Sequence, residues 1–178
     1  RNSEEFKSLA EEVFLKARKV TARTPLLRIV GVGDVSLEET KKLYQSAKKT
    51  VRIMTRAMEY FDDVADVLSE VASRGVLVKV LMMSDNRLGQ GDLAKRDESI
   101  RKMRGSLGNS VEVRLADEVI IRGCIVDPDS EGKALFLVEE VGVPFILREA
   151  AITSHPGVVK GLASMFDMIW RFNSKSPD

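Results

Sequence analysis

The chain has 178 residues, 44% of them hydrophobic and 31% charged, which suits one domain with a continuous core. Its 28 basic and 27 acidic residues nearly cancel, so no overall field draws in nucleic acid or membrane, and 6% aromatic content argues against an extended base-stacking surface. One cysteine excludes an internal disulfide framework and a multi-cysteine zinc site, and one histidine excludes a His-pair metal centre.

Residues 2–20, NSEEFKSLAEEVFLKARKV, begin with Asn2 or Ser3 as a helix cap and glutamates in the first turn. Phe6, Ala10, Val13, Ala17 and Val20 follow a 4-3-4-3 spacing. That is either a seam for a partner helix or an amphipathic face packed on its own domain. The chain opens at Arg1, already in helix-forming sequence, and reads as a fragment with something removed upstream. The expected units are a linker or dimerisation helix over 1–24, closed by Pro25, and an α/β domain over 25–178.

LLRIVG (Leu26 to Gly31) reads as a strand, followed by a helix from about Leu37 to Lys48 with Ser36 and Glu39 as its capping box. VRIMT (Val51 to Thr55) is the next strand, and a helix from Tyr60 to Ser73 turns Val64, Val67, Leu68 and Val71 to one face. VLVKVLMM (Val76 to Met83), almost continuously apolar, predicts a central strand. A polar loop, a charged helix over Leu93 to Arg104 and the strand VEVRL (Val111 to Leu115) follow. VIIRGCIVD supplies a fifth strand, KALFLVEE (Lys133 to Glu140) a sixth, and PFILRE one more. Ser154 caps a closing helix whose buried stripe is Val158, Leu162, Met165, Phe166, Ile169 and Trp170. The order predicts an α/β fold: a mixed sheet, parallel at the front and antiparallel at the back, with helices on both faces. There is no internal repeat and no low-complexity segment.

Few motifs carry chemistry. GVGDVS (Gly31 to Ser36) sits between a strand and a helix as a dinucleotide loop would. It lacks the third glycine, and the next strand ends in Thr55 and Arg56 rather than an acidic residue. It reads as a strand-to-helix turn, and no cofactor is implied. His155 stands between Ser154 and Pro156 at a helix start, a capping or surface position before it is a base. Cys124, among apolar strand neighbours, reads as a buried inert thiol. Arg122 and Asp127 are five residues apart on one strand and so point to opposite faces. Each needs its own partner, whether as an anchor of the strand ends or as the remnant of a catalytic motif.

The succession EETKKLYQSAKKTVRIMT, VLSEVASRGVLVKVLMM, VEVRL…IIRGCIVD…KALFLV and FDMIWR resembles the phospholipase D-like effector domain of archaeal TrmB-type transcriptional regulators. The resemblance runs from about Leu26 to Arg171, and the order of its motifs carries more weight than any one of them. Catalytic members of the wider superfamily carry His-x-Lys-x-x-x-x-Asp, in which the histidine attacks phosphorus and the lysine holds a phosphate oxygen. With Asp127 as the last residue, the lysine position is Arg122 and the histidine position is Ile120. Isoleucine neither attacks phosphorus nor moves a proton.

The resemblance therefore implies a phospholipase D-like half unit without catalysis and without metal. It would dimerise, sense a small effector, and reach DNA through a winged-helix domain upstream. The additional C-terminal domain with which larger members bind sugars is not matched, so sugar sensing is not carried over. Expected effector-binding residues, at strand ends, are Arg56, Asp85, Arg114, Arg122 and Asp127, with Arg87 beside them. The alternative is a nuclease or phosphodiesterase acting as a dimer, with His155 recruited from the last helix. No apolar run reaches the length of a membrane span, and the single thiol suits a reducing cytoplasm.

Overall fold

Residues 26–138, 142–144 and 147–177 are described by the structure, a computed structural model. The expected helix over 2–20 and its seam, and the last two residues of the expected sixth strand, lie outside them. The described residues form one eight-stranded sheet with four α-helices. In chain order these are β1 (Arg28–Gly31), α1 (Asp34–Gln45), β2 (Thr50–Met54), α2 (Phe61–Ser73), β3 (Leu77–Met83) and α3 (Gln90–Leu107). β4 (Val111–Ala116), β5 (Ile121–Val126), β6 (Lys133–Val138), β7 (Glu149–Thr153), α4 (Pro156–Phe172) and β8 (Ser174–Lys175) follow.

The strand order is β1-β7-β6-β5-β2-β3-β4-β8. β2, β3 and β4 run parallel, as their intervening helices require, and β5, β6 and β7 form an antiparallel meander against β2. β1 does not join the parallel group that follows it. It pairs antiparallel with β7 at the far edge, so Ile29 and Leu27 stay exposed.

Alternation along the strands divides the apolar side chains between two cores. Val78, Val80 and Met82 of β3, with Val51 and Ile53 of β2, pack under α1, α2 and α3. Leu81, Met54 and Ile125 pack on the other side under α4, through Val159, Ala163, Phe166 and Trp170. Three cations also face α4. Arg52 lies over the Phe166 ring and bonds Asp167, while Lys79 and Arg114 lie over the Trp170 ring. Those aromatic rings stack at 5.4 Å, and the three cations lie against them as cation–π partners on the α4 side of the sheet.

Several expected boundaries move for physical reasons. α1 starts at Asp34, not Leu37, because Gly33 adopts φ 117° and turns the chain into the helix early. Ser36 then sits inside the first turn, its Oγ bonding both the N–H and the carbonyl of Gly33, and Glu39 pairs with Arg28 and Lys42 instead of capping. Among the described residues the last strand of the meander is Glu149–Thr153, which shares only Glu149 with the expected PFILRE, whose Phe145 and Ile146 lie outside them. The cap of α4 is His155 rather than Ser154: the residue before a proline is pushed out of the helical region, and Pro156 takes the first helical position. The fully buried stripe of α4 accordingly runs Val159, Ala163, Phe166, Trp170, displaced from Val158 and Leu162.

Candidate functional site

β5 carries the chemistry that the sequence singles out, and its two ends do different things. At its C-terminal end Asp127 is buried and holds φ 44°, a conformation that aspartate tolerates better than most residues. Its carboxylate accepts the backbone N–H groups of Lys48, Lys49 and Thr50 at 2.7, 2.9 and 2.8 Å. This clamps the turn before β2 to the turn after β5. The role is structural, and it places Asp127 at the opposite end of the strand from Arg122.

At the N-terminal end, Arg122 stands opposite Leu137 of β6, and both line a cavity of about 550 Å³. Leu37, Thr40 and Tyr44 of α1, one helical face, form its other wall, with Met54, Thr55, Tyr60 and Cys124 behind. Gly123 lets β5 and β6 approach here: a Cβ on it would lie 2.0 Å from the Leu135 carbonyl oxygen. The GVGDVS turn contributes Gly33, Asp34 and Ser36 to the rim, so the segment judged a plain turn borders this cavity.

Burial keeps the polar groups of this wall neutral. The Cys124 thiol is pushed up to about 12 by burial, and the Tyr60 hydroxyl likewise to about 12, chiefly by burial. Tyr44 is raised by the same cause. In the unfolded chain these groups release protons earlier, from about pH 9 for the thiol and 10 for the phenols. The folded state therefore binds more protons in the alkaline range, and stability is full below about pH 9 and falls as pH rises toward 12. Urea midpoints measured at pH 7 and pH 10.5 are expected to show that fall, and Cys124→Ala to make it shallower.

Ile120 lies just ahead of β5 and is 56% exposed. It lines a shallow groove with Arg87, Asp117 and Ile169, beside Phe172, which is 79% exposed. Met168, one helical turn before Phe172, is also exposed, so an apolar strip runs along this end of the molecule.

The expected effector residues do not converge. Arg122 lines the cavity. Arg56, beyond β2, bonds Asp92 at 3.2 Å, and Asp85 accepts a 2.6 Å bond from Arg96, so both serve to seat the start of α3. Arg96 itself is buried and also donates to the Met83 carbonyl. Arg114 donates to the Trp170 carbonyl under α4. His155 follows β7 at Thr153, whose partner Ala134 pairs with Ile125, so it belongs to the Asp127 end and is not gathered with Arg122. Among the described residues no group of His, Cys, Asp or Glu is placed to hold a metal ion. Sequence reasoning missed Tyr44, Tyr60 and Thr55. The signal was there, since these are the chain's two tyrosines and a buried tyrosine carries a hydroxyl that must be accommodated.

No protein-family model matches the chain, and no curated protein matches it. Solved structures do. TrmBL2, an archaeal chromatin protein with its own mode of DNA binding, matches at TM-score 0.64 and 19% identity over 99% of this chain and 65% of that one. Nuc from Salmonella typhimurium, a phospholipase D family member, matches at TM-score 0.56 and 17% identity over 85% of this chain and 97% of that one. NucT from Helicobacter pylori matches at 0.62 and 13% over 85% and 98%. This chain thus spans less than two thirds of TrmBL2. Identities this low carry the architecture and nothing finer. The chain has the phospholipase D-like fold.

Proposed function

We propose that this chain is a phospholipase D-like regulatory domain that no longer cleaves phosphodiesters, dimerises, and senses a small effector on behalf of a DNA-binding transcriptional regulator. The observation that carries the reading is Ile120, an aliphatic side chain where the fold's attacking imidazole would stand, two residues before Arg122. Asp127, the last residue of the same pattern, is spent on three backbone N–H groups and keeps only its structural part. The likeness to TrmBL2 supports the DNA-linked setting, with contact to DNA made through a winged-helix domain outside this chain. The exposed strip of Ile120, Met168 and Phe172 supports dimerisation, because an apolar face of this kind is stabilised by a second copy. The cavity beside Arg122 supports effector binding, which would act by favouring one arrangement of the dimer over another.

The second reading, a phosphodiesterase acting as a dimer, has the likeness to Nuc in its favour. It lacks a histidine near Arg122, since His155, the chain's one histidine, lies at the other end of the sheet. Light scattering on the chain is expected to return about twice its 19.8 kDa, and the double variant Ile120→Glu, Phe172→Glu to return the monomer mass. A wild-type monomer at concentrations where the double variant is also monomeric would remove the dimer from the reading.

A further inference from the structure

We propose that the cavity between α1 and the β5–β6 pair is the effector site, and that its ligand is a small uncharged molecule. That molecule has a largely apolar body and one hydroxyl or carbonyl oxygen that meets the Tyr44 hydroxyl. This rests on the effector-sensing reading above and names the chemical class that the reading leaves open.

The volume, about 550 Å³, falls in the range of small-molecule sites, and the walls are the apolar side chains Leu37, Met54, Leu135 and Leu137. Tyr44 is fully buried and lines the cavity. Its hydroxyl faces that of Tyr60, yet it closes no hydrogen bond of acceptable length and angle among the described residues. Leaving a buried hydroxyl unsatisfied costs about 1–3 kcal/mol, which an oxygen carried in by the ligand would relieve.

Charge decides between ligand classes. The ionisable groups at the cavity are Asp34 and Glu59 against Arg122, a surplus of one negative charge. The thiol of Cys124 and the two phenols are held neutral by burial. An anion would meet that acidic surplus at the rim, and an ion of either sign would carry a desolvation cost among the apolar side chains. A neutral molecule meets neither obstacle.

The test titrates the full chain with 2-naphthol and with naphthalene, which lacks only the oxygen, and uses benzoate and inorganic phosphate as anionic contrasts. Saturable 2-naphthol binding is expected, seen by its fluorescence and by a raised melting temperature. Tyr44→Phe deletes only the unpartnered hydroxyl and is expected to weaken 2-naphthol about fivefold while leaving naphthalene unchanged. Leu137→Trp, which fills the cavity from its half-buried wall, is expected to abolish both in a protein still folded by circular dichroism. Benzoate or phosphate binding more tightly than 2-naphthol would overturn the neutral class and leave effector sensing standing. Binding of 2-naphthol unaffected by either substitution would place the site elsewhere and overturn the proposal. Silence from all four probes would overturn the proposal and effector sensing together, while dimer mass and lack of hydrolysis are measured independently.

Discussion

Gly123→Ala is expected to lower stability by more than about 3 kcal/mol or to prevent folding. The added Cβ would meet the Leu135 carbonyl oxygen at 2.0 Å, the Phe136 Cα at 2.7 Å and the Leu135 carbonyl carbon at 2.9 Å. All three are backbone atoms of the neighbouring strand, so no rotamer change relieves the clash. The φ of 152° also suits glycine better than an L residue. The only escape is separation of β5 from β6, which would open the cavity wall and break the ladder holding the antiparallel half to β2. Gly105→Ala is the control: that glycine lies inside α3 with nothing within 4 Å of its added Cβ, and the change is expected to stabilise by about 0.5–1 kcal/mol. Urea unfolding of the two variants, read as a shift in midpoint at constant slope, separates the outcomes.

Asp127→Ala is expected to cost about 3 kcal/mol, and Asp127→Asn distinctly less. Alanine strands the N–H groups of Lys48, Lys49 and Thr50 and is poorly suited to φ 44°. Asparagine tolerates that conformation, and its single amide oxygen can keep the two bonds now made by Oδ1, from Lys49 and Thr50, while losing that from Lys48 to Oδ2. The ranking wild type, Asn, Ala in thermal midpoints checks the clamp. Equal losses in the two variants would mean that charge, rather than the number of acceptors, is what the turn requires.

The sheet was readable from the sequence because its strands are apolar runs of the right length bounded by turn residues, and the helices between β2, β3 and β4 force parallel pairing. Val76 to Met83 carries that logic most clearly, with Val78, Val80 and Met82 facing one core and Leu81 the other. The position of β1 was not readable. Pairing with β7 joins residues more than a hundred positions apart, and no local pattern in Leu26 to Gly31 distinguishes an edge strand of the meander from a member of the parallel group. The cap of α4 was misplaced because a serine is the stronger local signal, whereas the proline after His155 sets the backbone.

For the site, Arg122 and Asp127 were found by motif spacing, which marks positions on a strand but says nothing of which end each occupies. Tyr44 was hidden because KKLYQSAKK reads as the end of an amphipathic helix. Its partner across the cavity, Tyr60, comes from a different element, and only the packed fold brings the hydroxyls together. Asp85 and Arg114 sit at strand positions where ligands often gather, yet they are engaged with Arg96 and with the Trp170 carbonyl.

Turnover of bis-p-nitrophenyl phosphate by the purified chain, under conditions where light scattering gives the dimer mass, addresses the lost nucleophile most directly. A rate equal to buffer, and unchanged by Arg122→Ala or His155→Ala, is the result predicted when isoleucine stands where an imidazole must attack. Release of nitrophenolate in proportion to protein concentration, lost in either variant, would contradict the account.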